Sequence, residues 1–349
     1  MKLLIVIVNY RTAPLVVDCL RSLEPEEKAI AGMKVAVIDC CSGDDSAPIL
    51  SKAITDNHWR RWVSLLPLEE NAGFARGNNA AIRRAMRSPD PPKYVMLLNP
   101  DTLVRPGAVQ ALLDFVESRS EAGMAGSRLE DTCGNVQISA FRFPSILSEV
   151  ESALRFGLAT RLLAHWMVAP PPPDHAAPVD WLSGASLLIR RAVLEEIGLL
   201  DEGCFMYYED VDFCRAARRA GWSCWYVPES RVVHLVSQAS GIESKLKPRP
   251  AYWFEARRRY FLKNHGLVYT AVCDAAWIAS FALWRVRRVL INKPDTDPPG
   301  LLRDFIRRSV FARGRDLAVP QADSAPPPRP ANDALPPNVL PFSRPGKLP

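Results

Sequence analysis

None of the eight cysteines, at positions 19, 40, 41, 133, 204, 214, 224 and 273, forms a CxxC pair. Zinc-ribbon chemistry is thereby excluded, and most of these thiols fall inside apolar segments where they act as small hydrophobes. The pattern points to a reducing, cytosolic compartment. No GK[ST] loop and no GxGxxG is present, which removes the commonest phosphate-cradling and dinucleotide fingerprints. Histidine is scarce, at five in 349 residues. The first apolar run, Leu3 to Val8, is too short for a signal-peptide core and lacks a small-residue cleavage site, so it is expected to be the first strand of a chain that is not secreted. There is no internal repeat. Basic excess is also missing from the first 250 residues, with 28 Lys+Arg against 30 Asp+Glu; residues 251 to 349 hold 16 against 8. That asymmetry suits an anionic partner, a membrane or nucleic acid, on the C-terminal third.

What is present is an alternation. KLLIVIVNY, MKVAVID, WVSLLPL and YVMLLNP read as strands; between them lie helical stretches, the first with Thr12 at its N-cap and Pro14 in its first turn. The length allows one large or two modest domains, and the βαβα rhythm predicts an α/β fold with a mostly parallel, twisted sheet covered by helices on both faces. After PPPPD at 170 to 174 a second block begins: a strand (VDWLSGASLLIRR), a helix (AVLEEIG), the acidic MYYEDVD, another helix, then CWYVPES and RVVHL. From about 318 onward proline is dense and large apolar residues few, so a disordered tail is expected over 318–349.

Ligands of such sheets bind beyond the carboxyl ends of the strands, and polar residues end several of them: Asn9 and Tyr10, Asp39, Glu69 to Asn71, and Asn99-Pro100-Asp101. Asp101 can cap a helix beginning near Pro106, or hold Mg²⁺ or Mn²⁺ whose shell is completed by phosphate oxygens and water. NAGFARGNN, 71 to 79, reads as a loop in which Gly73 and Gly77 let the backbone approach a ligand and Asn78 or Asn79 caps the next helix. In MYYEDVDFC, Asp210 would be the N-cap; Glu209, Asp210 and Asp212 crowd together, so one of them can have a pKa raised to suit a general base. Asp212 lies about 200° round the helix from Asp210, so only one of the two faces the crevice. His234 ends an apolar run, where an isolated histidine is more often structural.

Taken together these stretches resemble a nucleotide-sugar glycosyltransferase of family 2, in its rhamnosyltransferase-like branch. The resemblance rests on VNY at 8 to 10, VIDCCSGDDS at 37 to 46, NAGFARGNN, LLNPDT at 97 to 102, GASLLIRR at 184 to 191, FMYYEDVDFCRAARRAGW at 205 to 222, and His234 followed by Ser240. It implies the Rossmann-related A-type glycosyltransferase fold over 1–265, with a nucleotide-sugar-binding half (about 1–130) and an acceptor-binding half (131–265). Asn9, Tyr10, Asp39 and Ser42 match positions that cradle base and ribose; Asn71, Gly73, Phe74, Gly77 and Asn78 match the loop over the nucleotide-sugar. Asp101 matches the metal ligand with Asn99 as its neutral neighbour, Asp210 the base with Glu209 its nearest competitor, and His234 an extra metal ligand. Cys40 departs from the pattern, standing where an asparagine is usual.

The implied reaction is inverting and dependent on a divalent cation, Mg²⁺ or Mn²⁺. The expected donor is dTDP-rhamnose, then UDP- or GDP-linked sugars, and the acceptor a lipid-linked or growing polysaccharide. The rival readings are a non-catalytic membrane-associated scaffold and a nucleotidyltransferase. No nucleic-acid module is recognisable. Residues 266–317 are expected to form a basic helical segment; within it 267–284 is 18 residues of apolar helix interrupted by Asp274, expected at an anionic membrane surface on its cytoplasmic face, or packed in a protein core or dimer interface, rather than across the membrane.

Overall fold

Strands covered on both faces must be apolar at nearly every position, and Leu3–Asn9 (β1), Met33–Asp39 (β2) and Tyr94–Leu98 (β4) are. In β1, Leu3, Ile5 and Ile7 enter one core cluster, Leu4 and Val6 the other, so the two-residue period of the strand divides the core into layers. The computed structural model describes residues 1–235 and 247–312. Ser240 and the proline-rich segment 318–349 lie outside the described residues.

The helices Ala13–Ala29 (α1), Ser46–Asp56 (α2) and Gly73–Met86 (α3) connect β1, β2, Val63–Pro67 (β3) and β4. After β4 come Thr102–Val104 (β5), Ala108–Glu117 (α4), Ala122–Glu130 (β6), Val136–Gln137 (β7), Ala140–Phe141 (β8), Ile146–Leu154 (α5) and Gly157–Leu162 (α6). Ala177–Val179 (β9), Trp181–Leu182 (β10), Ser186–Arg190 (β11), Arg191–Ile197 (α7), Glu209–Arg219 (α8), Ser223–His234 (β12), Ala251–Leu290 (α9) and Leu301–Arg308 (α10) complete the chain. The main sheet runs β3-β2-β1-β4-β11-β6-β12-β5. Its first four strands are mutually parallel, β11 is antiparallel to both neighbours, and β6 and β12 are again parallel. It is therefore an α/β mixed sheet whose parallel half changes direction of winding at β1, opening a crevice at the carboxyl ends of β1, β2 and β4.

Two expectations need correction. VDWLSGASLLIRR, 179 to 191, is not one strand: Asp180 separates β9 from β10, and Ser183-Gly184-Ala185 separates β10 from β11. CWYVPES and RVVHL are one strand, β12, whose pairing with β6 slips by a bulge between Val227 and Arg231. Within Ala251–Leu290 (α9) helical geometry breaks at Gly266 (φ 79°), and the apolar stretch 267–284 lies after that break.

Asp274 within α9 is fully buried. Arg257 Nη1 donates to its Oδ1 at 2.6 Å, Val310 N–H to its Oδ2 at 3.0 Å, and Glu149 on α5 accepts Arg257 Nη2 at 2.6 Å. That network docks α9 onto α5 and leaves Val268, Leu283, Val286, Val289 and Leu290 exposed on the outer side. By length and composition α9 is apolar enough to cross a membrane.

The bland reading of Asp101 as a helix cap is overturned here, since another carboxylate does that work. Glu26, nearly fully buried on α1, accepts hydrogen bonds from the Gly107, Val109 and Gln110 N–H groups at the start of α4. A buried carboxylate is tolerated because those donors and the positive end of the helix dipole replace water. Glu26→Ala should lower unfolding free energy by about 2 kcal/mol; an unchanged denaturation midpoint would show that α4 does not depend on this cap.

Candidate active site

Beyond β1 and β2 the chain builds a closed hydrogen-bond network. Asn9 Nδ2 donates to Asp39 Oδ1 at 2.6 Å; Ser42 Oγ donates to the same oxygen at 2.6 Å. Asn9 Oδ1 accepts from Thr12 N–H and Oγ1. Thr12 thus sits at the N-cap of α1, yet its side chain serves Asn9 and not the helix. Asn9, Asp39 and Ser42 are all buried, which fixes the Asp39 carboxylate with one oxygen doubly engaged and Oδ2 accepting the Ser42 N–H at 3.3 Å. Tyr10 lies half-buried alongside, with the Arg11 guanidinium 5.2 Å over its ring. Cys40 is buried against Gly77, and burial pushes its thiol up to about 12, so it is a neutral space-filler at the base of this network.

The segment read as a loop at 71–79 is mostly helix. Asn71 Oδ1 accepts the Gly73 N–H at 3.1 Å, and α3 starts at Gly73 itself. Asn78 and Asn79 therefore lie inside the helix and cannot cap it. Asn78 Nδ2 donates back to the Phe74 carbonyl at 2.9 Å, and Asn79 ties α3 to Leu200 and Glu202. Gly73 has φ 88°, and a Cβ there would overlap the carbonyl of Phe205, which accepts the Phe74 N–H at 2.8 Å. Only glycine permits this approach of two backbones.

The corner after β4 carries Asp101, almost fully buried. β12 runs antiparallel to β5 with His234 opposite Thr102, a register that sets His234 Nε2 3.4 Å from Asp101 Oδ1. Leu235 N–H donates to the Asp101 carbonyl and closes the corner. Asn99 is half-buried beside it, its N–H on the Ala185 carbonyl at 3.0 Å.

Asp210 is in the first turn of α8, not at its N-cap; Tyr208 holds that position with φ 66°, after Tyr207 with φ 73°. Asp210 Oδ2 accepts the Gly184 N–H at 3.2 Å and Oδ1 the Val211 N–H at 2.8 Å. Burial pushes its carboxyl up to about 6 against these donors. Glu209 is more deeply buried and is held well above the usual carboxylate range, by burial and then by the charge of Asp210. Of the two, Asp210 is the one whose carboxylate is received by two N–H groups. Asp212 turns away to Lys263 Nζ (2.6 Å) and Asn264 Nδ2 (2.7 Å).

Gly184, Ala185 and Phe205 open motifs that carry the resemblance, but no role in the site was assigned to them from the sequence. The available signal was a Ser-Gly pair interrupting an otherwise apolar strand run, which marks close backbone approach. A divalent cation fits Asp101 and His234 on donor chemistry: a hard carboxylate oxygen and an imidazole nitrogen face one another closely enough for one ion to bridge them. Among the described residues no group of three His, Cys, Asp or Glu gathers, so such an ion would draw its other ligands from phosphate and water.

The family described as "Glycosyltransferase like family 2" matches residues 2–260. The N-acetylglucosaminyl-diphospho-decaprenol L-rhamnosyltransferase of Mycobacterium tuberculosis (strain ATCC 25618 / H37Rv) is 33% identical over 195 residues, 51% of this chain and 61% of that protein. Rhamnosyltransferase WbbL of Escherichia coli (strain K12) is 25% identical over 164 residues, 46% and 60% of the two chains. The chain thus spans about three-fifths of the length of these curated relatives. In fold it is similar to mannosyltransferase PcManGT from Pyrobaculum calidifontis in complex with GDP-Man and Mn²⁺ (TM-score 0.52, 14% identity, 83% of this chain and 75% of that one). It is also similar to GalNAc-T7 with UDP, GalNAc and Mn²⁺ (TM-score 0.54, 13% identity, 88% and 56%). The shared architecture is the A-type glycosyltransferase fold.

The Asp210 environment makes a stability prediction with a definite sign. A carboxyl whose folded pKa is raised above its unfolded value costs stability as pH rises between the two. Asp210→Asn removes that cost, so its melting temperature relative to wild type should improve from pH 4 to pH 7.5. A difference that is flat, or that falls with pH, would mean that Asp210 is not held up.

Proposed function

The chain belongs to glycosyltransferase family 2, and on that premise we propose that it transfers a sugar from a nucleotide-sugar, with inversion, to a hydroxyl of a lipid-linked or polysaccharide acceptor. Rhamnose from dTDP-rhamnose is the preferred donor reading, supported by the names of the curated relatives; a UDP- or GDP-sugar is the alternative. The observation that carries the reading is the pairing of Asp101 with His234 at one end of a backbone chain, Asn99 to Ala185 and Gly184 to Asp210, whose other end is a carboxyl with its pKa raised to about 6. Metal donors and a base are thus held in one frame.

In this mechanism the Asn9–Asp39–Ser42 network and Tyr10 orient base and ribose, while Asn71, Gly73, Phe74, Gly77 and Asn78 form the wall beside the sugar. Asp101 and His234, with Asn99 as neutral neighbour, would hold Mg²⁺ or Mn²⁺, which when bound would neutralise the diphosphate leaving group. Asp210, ionised above about pH 6, accepts the proton of the acceptor hydroxyl as its oxygen bonds to the anomeric carbon. The bond to the diphosphate breaks on the opposite face, which inverts configuration. Glu209, whose carboxyl burial raises further, is the nearest competitor for this role.

Residues 1–265 would then be the catalytic domain, about 1–130 holding the donor and 131–265 the acceptor, with 266–317 a basic helical segment. That segment would rest peripherally on an anionic membrane at its cytoplasmic face, its exposed Val268, Leu283, Val286 and Val289 beside Arg285, Arg287 and Arg288.

Two measurements test this reading. In a panel of nucleotide-sugars assayed with and without chelator, Asp101→Ala should abolish metal-dependent donor hydrolysis and His234→Ala should weaken metal affinity less. Asp210→Asn should lose about 10² to 10⁴ in turnover while still binding donor, and Glu209→Gln should lose far less; activity surviving in chelator, or a dead Glu209→Gln beside an active Asp210→Asn, defeats the assignment. For the membrane, flotation with anionic liposomes at low salt should carry the protein upward, and its absence from the lipid fraction would rule out the peripheral site.

A further inference from the structure

Most of the cations flanking the acceptor side are already neutralised. Arg257 is held by Glu149 and Asp274, Arg259 by Asp201, and Lys263 by Asp201 and Asp212. Arg249, directly ahead of α9, differs. It is half-buried, and among the described residues no carboxylate pairs with it. Its guanidinium lies 4.9 Å from the centroid of the Trp253 ring, which in turn meets Tyr208 edge-on at 6.5 Å; Tyr252 stacks on Tyr207 at 6.2 Å. Arg249 therefore faces the two left-handed tyrosines that lead into Glu209 and Asp210.

Its electrostatic surroundings sharpen the contrast. Burial lowers the Arg249 pKa and the nearby Arg155 lowers it further, opposed only by the hydroxyls of Tyr207 and Tyr208. Arg155 is itself paired with Asp297 at 2.6 Å, so Arg249 is the cation left without a carboxylate among the described residues, and a partly desolvated cation of that kind is a site for an anion. Arg155 lies over the Phe281 and Trp284 rings of α9 at 5.8 and 5.6 Å. Beyond it the surface turns apolar and open: Phe156, Leu158, Leu162 and Trp166 around α6, and Leu283 and Val286 on α9, are all exposed. An unmatched positive charge grading into exposed hydrocarbon describes the complement of an amphiphile with an anionic head.

We propose that Arg249 binds the phosphate groups of a polyprenyl-type diphosphate acceptor, seating them against the Tyr207–Tyr208 turn with the hydrocarbon laid over the α6 and α9 surface. This rests on reading the chain as a transferase with a lipid-linked acceptor, and adds the residue that selects for the lipid diphosphate. The head group so placed presents its sugar hydroxyl to Asp210, two residues from Tyr208. Arginine suits the task because its planar fork grips phosphate oxygens in pairs.

Quenching of tryptophan fluorescence in the full chain measures this without turnover, with farnesyl diphosphate as probe, farnesol as the uncharged control and dTDP as the donor-side control. Wild type should bind farnesyl diphosphate more tightly than farnesol. Arg249→Ala should weaken farnesyl diphosphate about ten- to hundredfold and leave farnesol and dTDP unchanged, with Arg249→Lys falling between. Should the alanine variant lose its cooperative unfolding transition, Arg249→Gln takes its place. Unchanged affinity for farnesyl diphosphate overturns the proposal, as does a wild type that does not distinguish it from farnesol. A loss confined to dTDP overturns it too, by assigning Arg249 to the donor. Donor hydrolysis measured alongside separates the two readings: hydrolysis retained with a failed lipid arm rejects this proposal alone, and the converse rejects the donor assignment.

Discussion

Two consecutive residues, Gly184 and Ala185, tie the parts of the site together. The Ala185 carbonyl accepts the Asn99 N–H and so fixes the corner that carries Asp101; the Gly184 N–H donates to Asp210. The ring of Phe74 covers Gly184 so closely that a Cβ would meet it at 3.3 Å and the Asp210 Cβ at 3.9 Å. The next residue, Ser186, enters β11, which lies between β4 and β6 in the sheet. Because β11 is antiparallel to β4, its N-terminal end meets the carboxyl end of β4. That reversal of direction lets a chain segment from the second half of the protein contribute to a crevice built by the first.

The parallel half of the sheet was legible because buried strands are monotonously apolar, and the polar residues that end β1, β2 and β4 stand where the crevice forms. The starts of α3 and α8 were not. In both, the residue that opens the helix is set by a contact distant in sequence: Gly73 pressed on Phe205, and the Tyr208 turn packed on Trp253 and Tyr260. Local capping propensity favoured Asn78 and Asp210 and was overridden. Glu26 as the cap of α4 was equally out of reach, since a glutamate inside a helix 81 residues earlier carries no local sign of its partner. His234 came within reach of Asp101 only through the β5–β12 register, which no pattern in RVVHL announces.

The buried acids differ in the partners they are given. Glu26 has three backbone donors, Glu130 is paired with Arg128 and Arg231, and Glu149 and Asp274 share Arg257. In each, charge removed from water is returned a partner, as stability requires. Burial raises the Glu149 carboxyl too, against Arg257; among the described residues Glu209 has no cationic partner and Asp210 only backbone donors, and burial raises both. Perturbation of this kind collects where protons are exchanged.

The turn at Tyr207 and Tyr208 holds two non-glycine residues in the left-handed region, each of which costs about 1 to 3 kcal/mol. Such a conformation persists because aromatic packing on both sides, Tyr252 against one ring and Trp253 and Tyr260 against the other, leaves it no alternative. The conformational entropy of that turn is therefore surrendered when the chain folds. A ligand that reaches Asp210 across it meets a rigid rim, and its association draws on contacts alone without having to order the backbone it touches.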